Sequence, residues 1–342
     1  MNLTSIKASH FERAVRWLSP LVLLALVAFL IVAKPIDMAE LWATLKGLPP
    51  VLWPKLVALT LLCYAIRFVR WRGFVGLLGP RIPWGYHLCV YMAGFVSALT
   101  FGKAGEAIRA VYLRPFGLRC VDCLGVCFVD RLLDLMSVAL LAGLAFGMLG
   151  ERAPWAWSAL GLWLGVMLVF RSKVLALLVA RLKIPRLSDL ASDGLRTTSL
   201  LLTGSSLTRG MGLSLAAWIV QGLCLHLTLL AMGHHLVWTE VVGIYALSLL
   251  AGAATFLPGG FGASEAAITW LLSMKGVPSS EALAAALVGR GVPQWLGVAL
   301  ASAAMGRLSL GWRVPLLPVE TGSIETPGRT SSLEADRPVR RC

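Results

Sequence analysis

The sequence predicts an all-α polytopic membrane protein of about six full spans, with two oppositely oriented re-entrant helical hairpins forming an inverted repeat. Three observations predict it. Of 342 residues, 58% are hydrophobic and only 14% charged, where a soluble domain carries about a quarter charged residues; mean hydropathy is +0.78. Several apolar runs reach the roughly 18 to 20 residues that a helix needs to cross a bilayer, with basic residues gathered at their ends. Finally, two broken, charged stretches superimpose on each other at an offset of 159 positions.

The first stretch is TFGKAGEAIRAVYL, Thr100 to Leu113, and the second, from Phe256, is FLPGGFGASEAAITWLLSMKG. The offset lays Glu265 on Glu106, Ala263 on Ala104, Ala266 on Ala107, Leu272 on Leu113, Gly276 on Gly117 and Arg290 on Arg131. Each glutamate is thus followed by an arginine 25 residues later. Matches of Gly, Ala and Leu arise readily by chance in apolar sequence. Charged matches do not, because intramembrane charges are rare and usually functional. Two such constellations read as a duplicated half-structure around a central site.

In chain order, Lys7, Arg13 and Arg16 precede an apolar run from Leu18 to Ala33, closed by Lys34-Pro35. No small-x-small cleavage site follows cleanly, so the run reads as a retained first span rather than a signal peptide. Its basic flank sets the N-terminus in the cytoplasm. The second span is expected over about Val51 to Phe68, with Pro54 in its first turn, where proline loses no helical hydrogen bond. Arg67, Arg70, Arg72 and Arg81 follow with no acid among them and read as a cytoplasmic flank.

From Trp84 to Arg119 two helical pieces, roughly 85–99 and 105–114, are broken at Phe101 to Gly105. Both ends carry cytoplasmic arginines, so the region reads as a re-entrant hairpin with Lys103, Glu106 and Arg109 near its tip. Broken backbone at membrane depth is tolerated only inside protein or along a wet cavity. A long span follows, about Val121 to Leu149, carrying Asp130, Arg131 and Asp134 on one broad face. These form either a self-neutralised structural cluster or an arginine held by carboxylates and aimed at a ligand phosphate.

Trp155, Trp157 and Trp163 open the next span as an interfacial aromatic belt. Residues 171–209 carry seven basic and two acidic residues and form a cytoplasmic linker, with a surface amphipathic helix at Lys173 to Leu182. A sixth span, Met211 to Met232, carries Gln221 and His226, the histidine reading as hydrogen-bonded packing before a proton relay. The second hairpin, about Val241 to Lys275, breaks at Leu257 to Gly262, where Pro258 and glycines including Gly259 and Gly260 cannot continue a helix. The last span, about Ser280 to Met305, carries Arg290. The repeats are therefore expected at about 84–150 and 241–309, within a membrane domain of residues 1–314. Residues 315–342 read as a disordered cytoplasmic tail. With both broken regions as hairpins, every loop obeys the positive-inside rule and the hairpins enter from opposite faces.

The net charge of +14 sits at span ends, where it orients the chain and attracts anionic headgroups; no nucleic-acid module is present. Cys120, Cys123 and Cys127 form one helical stripe without a nearby fourth ligand, which reads as packing rather than a metal site. Cys342 is the last residue and cannot be a prenylation box. The sequence implies no metal, no cofactor and no catalytic residue.

The motifs GKAGEAIR (Gly102–Arg109), DRLLD (Asp130–Asp134), LPGGFGASE (Leu257–Glu265) and GR (Gly289–Arg290) resemble the transmembrane, flippase-like domain of the lysylphosphatidylglycerol synthase family, over roughly residues 15–310. Lys103 is a departure, standing where a proline or arginine is more usual. In two-domain members the membrane part is thought to move an aminoacylated lipid after a soluble domain makes it. Here only a short tail follows, so the resemblance does not imply synthase chemistry. It implies a stand-alone member, a class linked to polyprenyl-phosphate, hopanoid or glycolipid processes.

Three functions compete. The first is a lipid transporter of the cytoplasmic (inner) membrane, gradient-driven or downhill, with both termini in the cytoplasm. Lys103, Arg109, Arg131 and Arg290 would bind an anionic headgroup, helix N-termini after each tip, with Gly259 and Gly260 at the second, would add donors, and Glu106 and Glu265 would pair with the arginines. The second is a membrane transferase acting on a polyprenyl lipid, but no nucleotide loop, acidic metal motif or Ser/His/Asp set is found. The third is a scaffold for envelope-biogenesis proteins. The lipid, the direction, the coupling ion and the oligomeric state stay open.

Overall fold

The computed structural model describes residues 38–95, 108–147, 197–198, 200–202, 204–255 and 258–310, together with Gly161 and Gly165. Its described residues form helices and no strand. In chain order these are α1 (Met38–Gly47), α2 (Leu52–Leu77), α3 (Trp84–Ala93), α4 (Ile108–Leu113), α5 (Cys120–Gly147), α6 (Gly204–Ala231), α7 (Trp238–Ala254), α8 (Ala263–Ser273) and α9 (Ser279–Ser309). One-turn 3-10 helices follow α4 and precede α8, at Arg114–Phe116 and Pro258–Gly260.

Helices α2, α6 and α9 are each long and apolar enough to cross a membrane. Helix α5 has 28 residues, roughly 42 Å at 1.5 Å per residue. It is as long as they are, but Asp130, Arg131 and Asp134 lie within it. The first expected span (Leu18 to Ala33), the tail, and nearly all of the Trp155 span and the 171–209 linker lie outside the described residues, as do Lys103 and Glu106 at the first break.

One expectation is corrected. Helix α2 does not end at Phe68 but runs to Leu77. Arg67 and Arg70 are therefore not a solvated flank; they are 7% and 2% exposed inside the bundle. The continuation Arg70-Trp71-Arg72-Gly73-Phe74-Val75 keeps apolar groups at helical spacing, and Trp71, Phe74 and Val75 are buried. That packing carries the helix past the arginines.

The second break is a helix–turn–helix, as expected of its proline and glycines. Helix α7 stops at Ala254, Gly259 and Gly260 take φ of 62° and 67°, and α8 begins at Ala263. Only glycine adopts this backbone without strain.

Cys120 and Ser279, which open α5 and α9, are 159 residues apart. The preceding turns share a left-handed glycine, Gly117 at φ 84° and Gly276 at φ 86°. The apolar packing forms several clusters. Trp71, Val90, Tyr91, Leu113, Cys123 and Leu133 belong to the first, which Met211 of α6 and Ala304 and Leu308 of α9 join, and Leu225, Ile244, Ile268, Leu272 and Ala285 belong to another. The stripe cysteines Cys123 and Cys127 are thus packing residues of the first core.

The packing between halves is reciprocal. Helix α3 of the first half lies on α9 of the second, α7 of the second lies on α5 of the first, and α2 lies along α6. Where α6 crosses α9, a Cβ on Gly289 would meet the Leu225 Cα at 2.8 Å. This close approach is what glycine at that position permits.

Candidate functional site

The first cluster is a buried charge network on α2 and α5, closed by α6. Arg70 is fork-bound to two aspartates. Its Nε and Nη2 lie 2.9 and 2.6 Å from Asp130 Oδ1, and its Nη1 lies 2.8 Å from Asp134 Oδ1. Arg131 spans the same pair from the other side, 2.8 Å from Asp130 and 3.2 Å from Asp134. Asp134 Oδ1 also accepts from Ser214 Oγ and Trp218 Nε1, each at 3.2 Å. Arg67 stacks 4.1 Å over the Trp218 ring, with its Nη1 3.9 Å from Asp134. A planar guanidinium holding two carboxylates bidentately is the strong form of such contacts.

The second is an aromatic cage around Arg109, on α4. The guanidinium lies 4.7 Å from the Trp71 ring, 4.5 Å from Tyr91 and 5.9 Å from Phe95. Its Nη2 donates to the Tyr91 carbonyl at 3.0 Å, and Nε and Nη1 find no hydrogen-bond partner. The side chain is 1% exposed, and Gly94 leaves the space that it fills. Among the described residues no carboxylate pairs with it; cation–π contacts hold the charge instead.

The third lies at the second break. Glu265 Oε2 accepts the Gly262 amide at 2.7 Å, so the carboxylate caps its own helix from the third position. Its Oε1 stands 3.1 Å from Arg290 Nε, an ion pair whose N–H does not point at the oxygen. Arg290 Nη2 donates to the Gly259 carbonyl at 3.0 Å, while Nη1 has no hydrogen-bond partner. The glycine turn, its capping glutamate and the α9 arginine form one unit.

Tyrosines pack around these clusters. The Tyr91 ring lies under Arg109 and 6.0 Å from the Trp71 ring. Tyr64 donates its hydroxyl to the Pro293 carbonyl at 2.6 Å and sets its ring 4.9 Å from Phe95. The described centre holds five arginines, 67, 70, 109, 131 and 290, and three carboxylates, Asp130, Asp134 and Glu265. Among the described residues of this centre that leaves a surplus of two positive charges. An uncompensated buried charge is costly unless a counter-ion joins it.

The sequence pattern of the lysylphosphatidylglycerol synthase TM region matches residues 16–301. The chain belongs to that family. Among its curated relatives, a UPF0104 membrane protein of Methanothermobacter thermautotrophicus is 36% identical over 88 residues, 26% of either chain. A phosphatidylglycerol lysyltransferase of Staphylococcus haemolyticus is 33% identical over 73 residues, 21% of this chain and 9% of that one. An uncharacterised Synechocystis protein is 34% identical over 100 residues, 29% of this chain and 30% of its own. The chain thus matches these relatives over less than a third of their lengths.

Of the residues singled out in sequence, the structure joins Asp130, Arg131 and Asp134 in the first cluster, and Glu265, Arg290 and the Gly259 carbonyl in the third. Gly260 shapes the turn against Gly252. Arg109 stands in its own cage, and Lys103 and Glu106 are not among the described residues. Sequence reasoning missed Arg67, Arg70 and the cage aromatics Trp71 and Tyr91. The signal for Arg70 was present: two aspartates on one helix face need more than the single arginine between them.

Proposed function

We propose that the chain is a lipid transporter, not an enzyme. It moves an anionic or polyprenyl-linked lipid across the cytoplasmic membrane, downhill or driven by a gradient. The observation that carries this reading is the surplus of buried guanidinium charge, with donors on Arg67, Arg109 and Arg290 left without hydrogen bonds. A lipid phosphate offers acceptors and negative charge to such donors. The Gly259 turn beside Arg290 supplies the broken backbone that membrane proteins keep for ligand cavities. A relative that is a phosphatidylglycerol lysyltransferase supports a lipid of this charge class.

In this reading the two halves are inverted repeats, each hairpin entering from its own face, with both termini in the cytoplasm. The matching turns at Gly117 and Gly276 and the reciprocal packing support that plan. Glu265 holds Arg290 until a headgroup replaces it, and Glu106 is the equivalent on the first hairpin. The Arg70–Asp130–Asp134 network is the fixed frame against which they work. Envelope-biogenesis proteins are the expected partners.

The test is reconstitution into liposomes with fluorescent anionic, zwitterionic and polyprenyl-phosphate lipids, read by leaflet-accessible quenching. Wild type, Arg290→Ala and Glu106→Gln are compared, with and without a pH gradient. Movement of one lipid class, lost in both variants, is the expected result. No movement above empty vesicles, with the variants still supporting the chain's cellular role, would favour the scaffold over the transporter.

A further inference from the structure

Helix α2 ends at Leu77, the turn Leu78 to Pro83 follows, and α3 begins at Trp84. A cleft of about 500 Å³ opens in this corner, lined by Arg72, Val75, Gly79, Arg81, Pro83 and His87. Its wall carries two arginines and no acid. The last carbonyls of α2, which would repel an anion, are already occupied: Leu78 and Gly79 amides donate to the Val75 and Gly76 oxygens at 3.0 and 3.3 Å. The opposite wall is the N-terminus of α3, whose N-cap Pro83 offers no side-chain cap. That end is the positive pole of a helix.

His87 gives the independent observation. It is 2% exposed and lies between two donors. Trp71 Nε1 stands 3.0 Å from Nε2, and Arg72 Nη1 stands 3.4 Å from Nδ1. Indole and guanidinium N–H groups only donate, and a neutral imidazole has one accepting nitrogen. The shorter, fully buried Trp71 contact takes that acceptor. Nδ1 therefore carries the ring proton, and it and Arg72 are two donors facing each other at the cleft. Arg72 places a hydrogen on the Ile82 carbonyl at 3.3 Å, but the His87 N–H has no acceptor among its contacts. Two converging donors, one of them charged, ask for an anion between them.

We infer that this cleft is a phosphate-binding site separate from the central arginines, held by Arg72 and the His87 Nδ1–H with Arg81 at its mouth. Exposed Leu77 and Trp84, at 59% and 60%, flank it with apolar surface of the kind acyl chains cover. A phosphate there would also fix the His87 tautomer that accepts from Trp71, whose ring lies under Arg109. The cleft is thereby wired to the central cage through two side chains.

The test uses the purified full chain in neutral detergent, titrated calorimetrically with inorganic phosphate in one arm and short-chain phosphatidylglycerol in the other. In the arm that binds, Arg72→Gln weakens affinity about tenfold, the scale of one charge-assisted hydrogen bond. Arg81→Gln, at an exposed position where folding is not at stake, weakens it by a smaller factor. Arg72→Lys restores part of the loss, and Arg290→Ala leaves it unchanged. Binding of phosphatidylglycerol alone assigns a lipid headgroup; binding of both probes assigns a free phosphate as well. Affinity unmoved by both Arg72→Gln and Arg81→Gln, or no binding of either probe, overturns the site. Loss with Arg290→Ala also overturns it, because the two sites would then be one. The inference stands apart from the transport reading, and Arg72-dependent binding without any lipid movement would leave it intact.

Discussion

Replacing Asp134 by Leu removes the acceptor on which the first cluster converges. Its carboxylate serves Arg70 at 2.8 Å, Arg131 at 3.2 Å, Arg67 at 3.9 Å, and the Ser214 hydroxyl and Trp218 indole at 3.2 Å. The cluster goes from three arginines and two aspartates to three arginines and one. A single close pair at an effective dielectric of about 20 is worth roughly 4 kcal/mol of gross attraction, most of which desolvation offsets. Removing one partner of a buried pair typically costs about 3–5 kcal/mol. Asp134→Leu should fall near 5 kcal/mol, because three cations lose a partner at once. Arg70→Met should cost nearer 3 kcal/mol, because Arg131 and Arg67 still cover the two aspartates. The double variant Arg70→Met/Asp134→Leu should be more stable than the sum of the singles predicts, by roughly 1–3 kcal/mol of coupling. Unfolding in mixed detergent micelles, followed by helical circular dichroism, reads all three. Strict additivity, or an Asp134→Leu cost under about 1 kcal/mol, would refute the view that this network frames the bundle.

Three further outcomes are expected. Glu265→Gln keeps an oxygen for the Gly262 amide but leaves the buried Arg290 charge without its carboxylate, so it should cost about 3 kcal/mol, while lipid movement in liposomes should stop. Gly289→Ala drives a methyl to 2.8 Å from the Leu225 backbone and should cost about 1–3 kcal/mol of overpacking, seen as a lower unfolding midpoint. Arg109→Lys keeps the charge but loses the flat guanidinium stacked on Trp71 and Tyr91. Transport should fall about tenfold or more, the scale of a lost cation–π and hydrogen-bond set, with little change in expression.

Much of this architecture is legible in the chain. Helices α5 and α9 lie within four residues of where apolar runs and their flanks put them, because length and hydropathy alone decide those, whereas α6 begins seven residues before the expected Met211, at Gly204. The second break was legible because Pro258 and its glycines forbid helix. Arg67 and Arg70 were misplaced for a physical reason: an arginine at the end of an apolar run has the same local pattern whether it meets water or an aspartate 60 residues away. Only the partner distinguishes the cases, and the partner is a tertiary fact. The cage around Arg109 was hidden in the same way, since Trp71 and Tyr91 look like ordinary core aromatics until α2 and α3 close on α4.

The crossed packing of the halves has a consequence for how the protein is made. Helix α3 emerges from the ribosome roughly 200 residues before α9, the helix it finally lies on. At about 5–20 residues per second, the wait is roughly 10–40 s. Throughout that interval α3 lacks the second-half helix that it will lie against. The arginines of α2 likewise enter the bilayer before Asp130 and Asp134 exist to receive them. The first half is therefore an incomplete guest in the membrane until the last helix arrives. Insertion factors and quality-control proteases would meet the chain in that window, and truncation before Ser279 removes the partner of a helix already laid down.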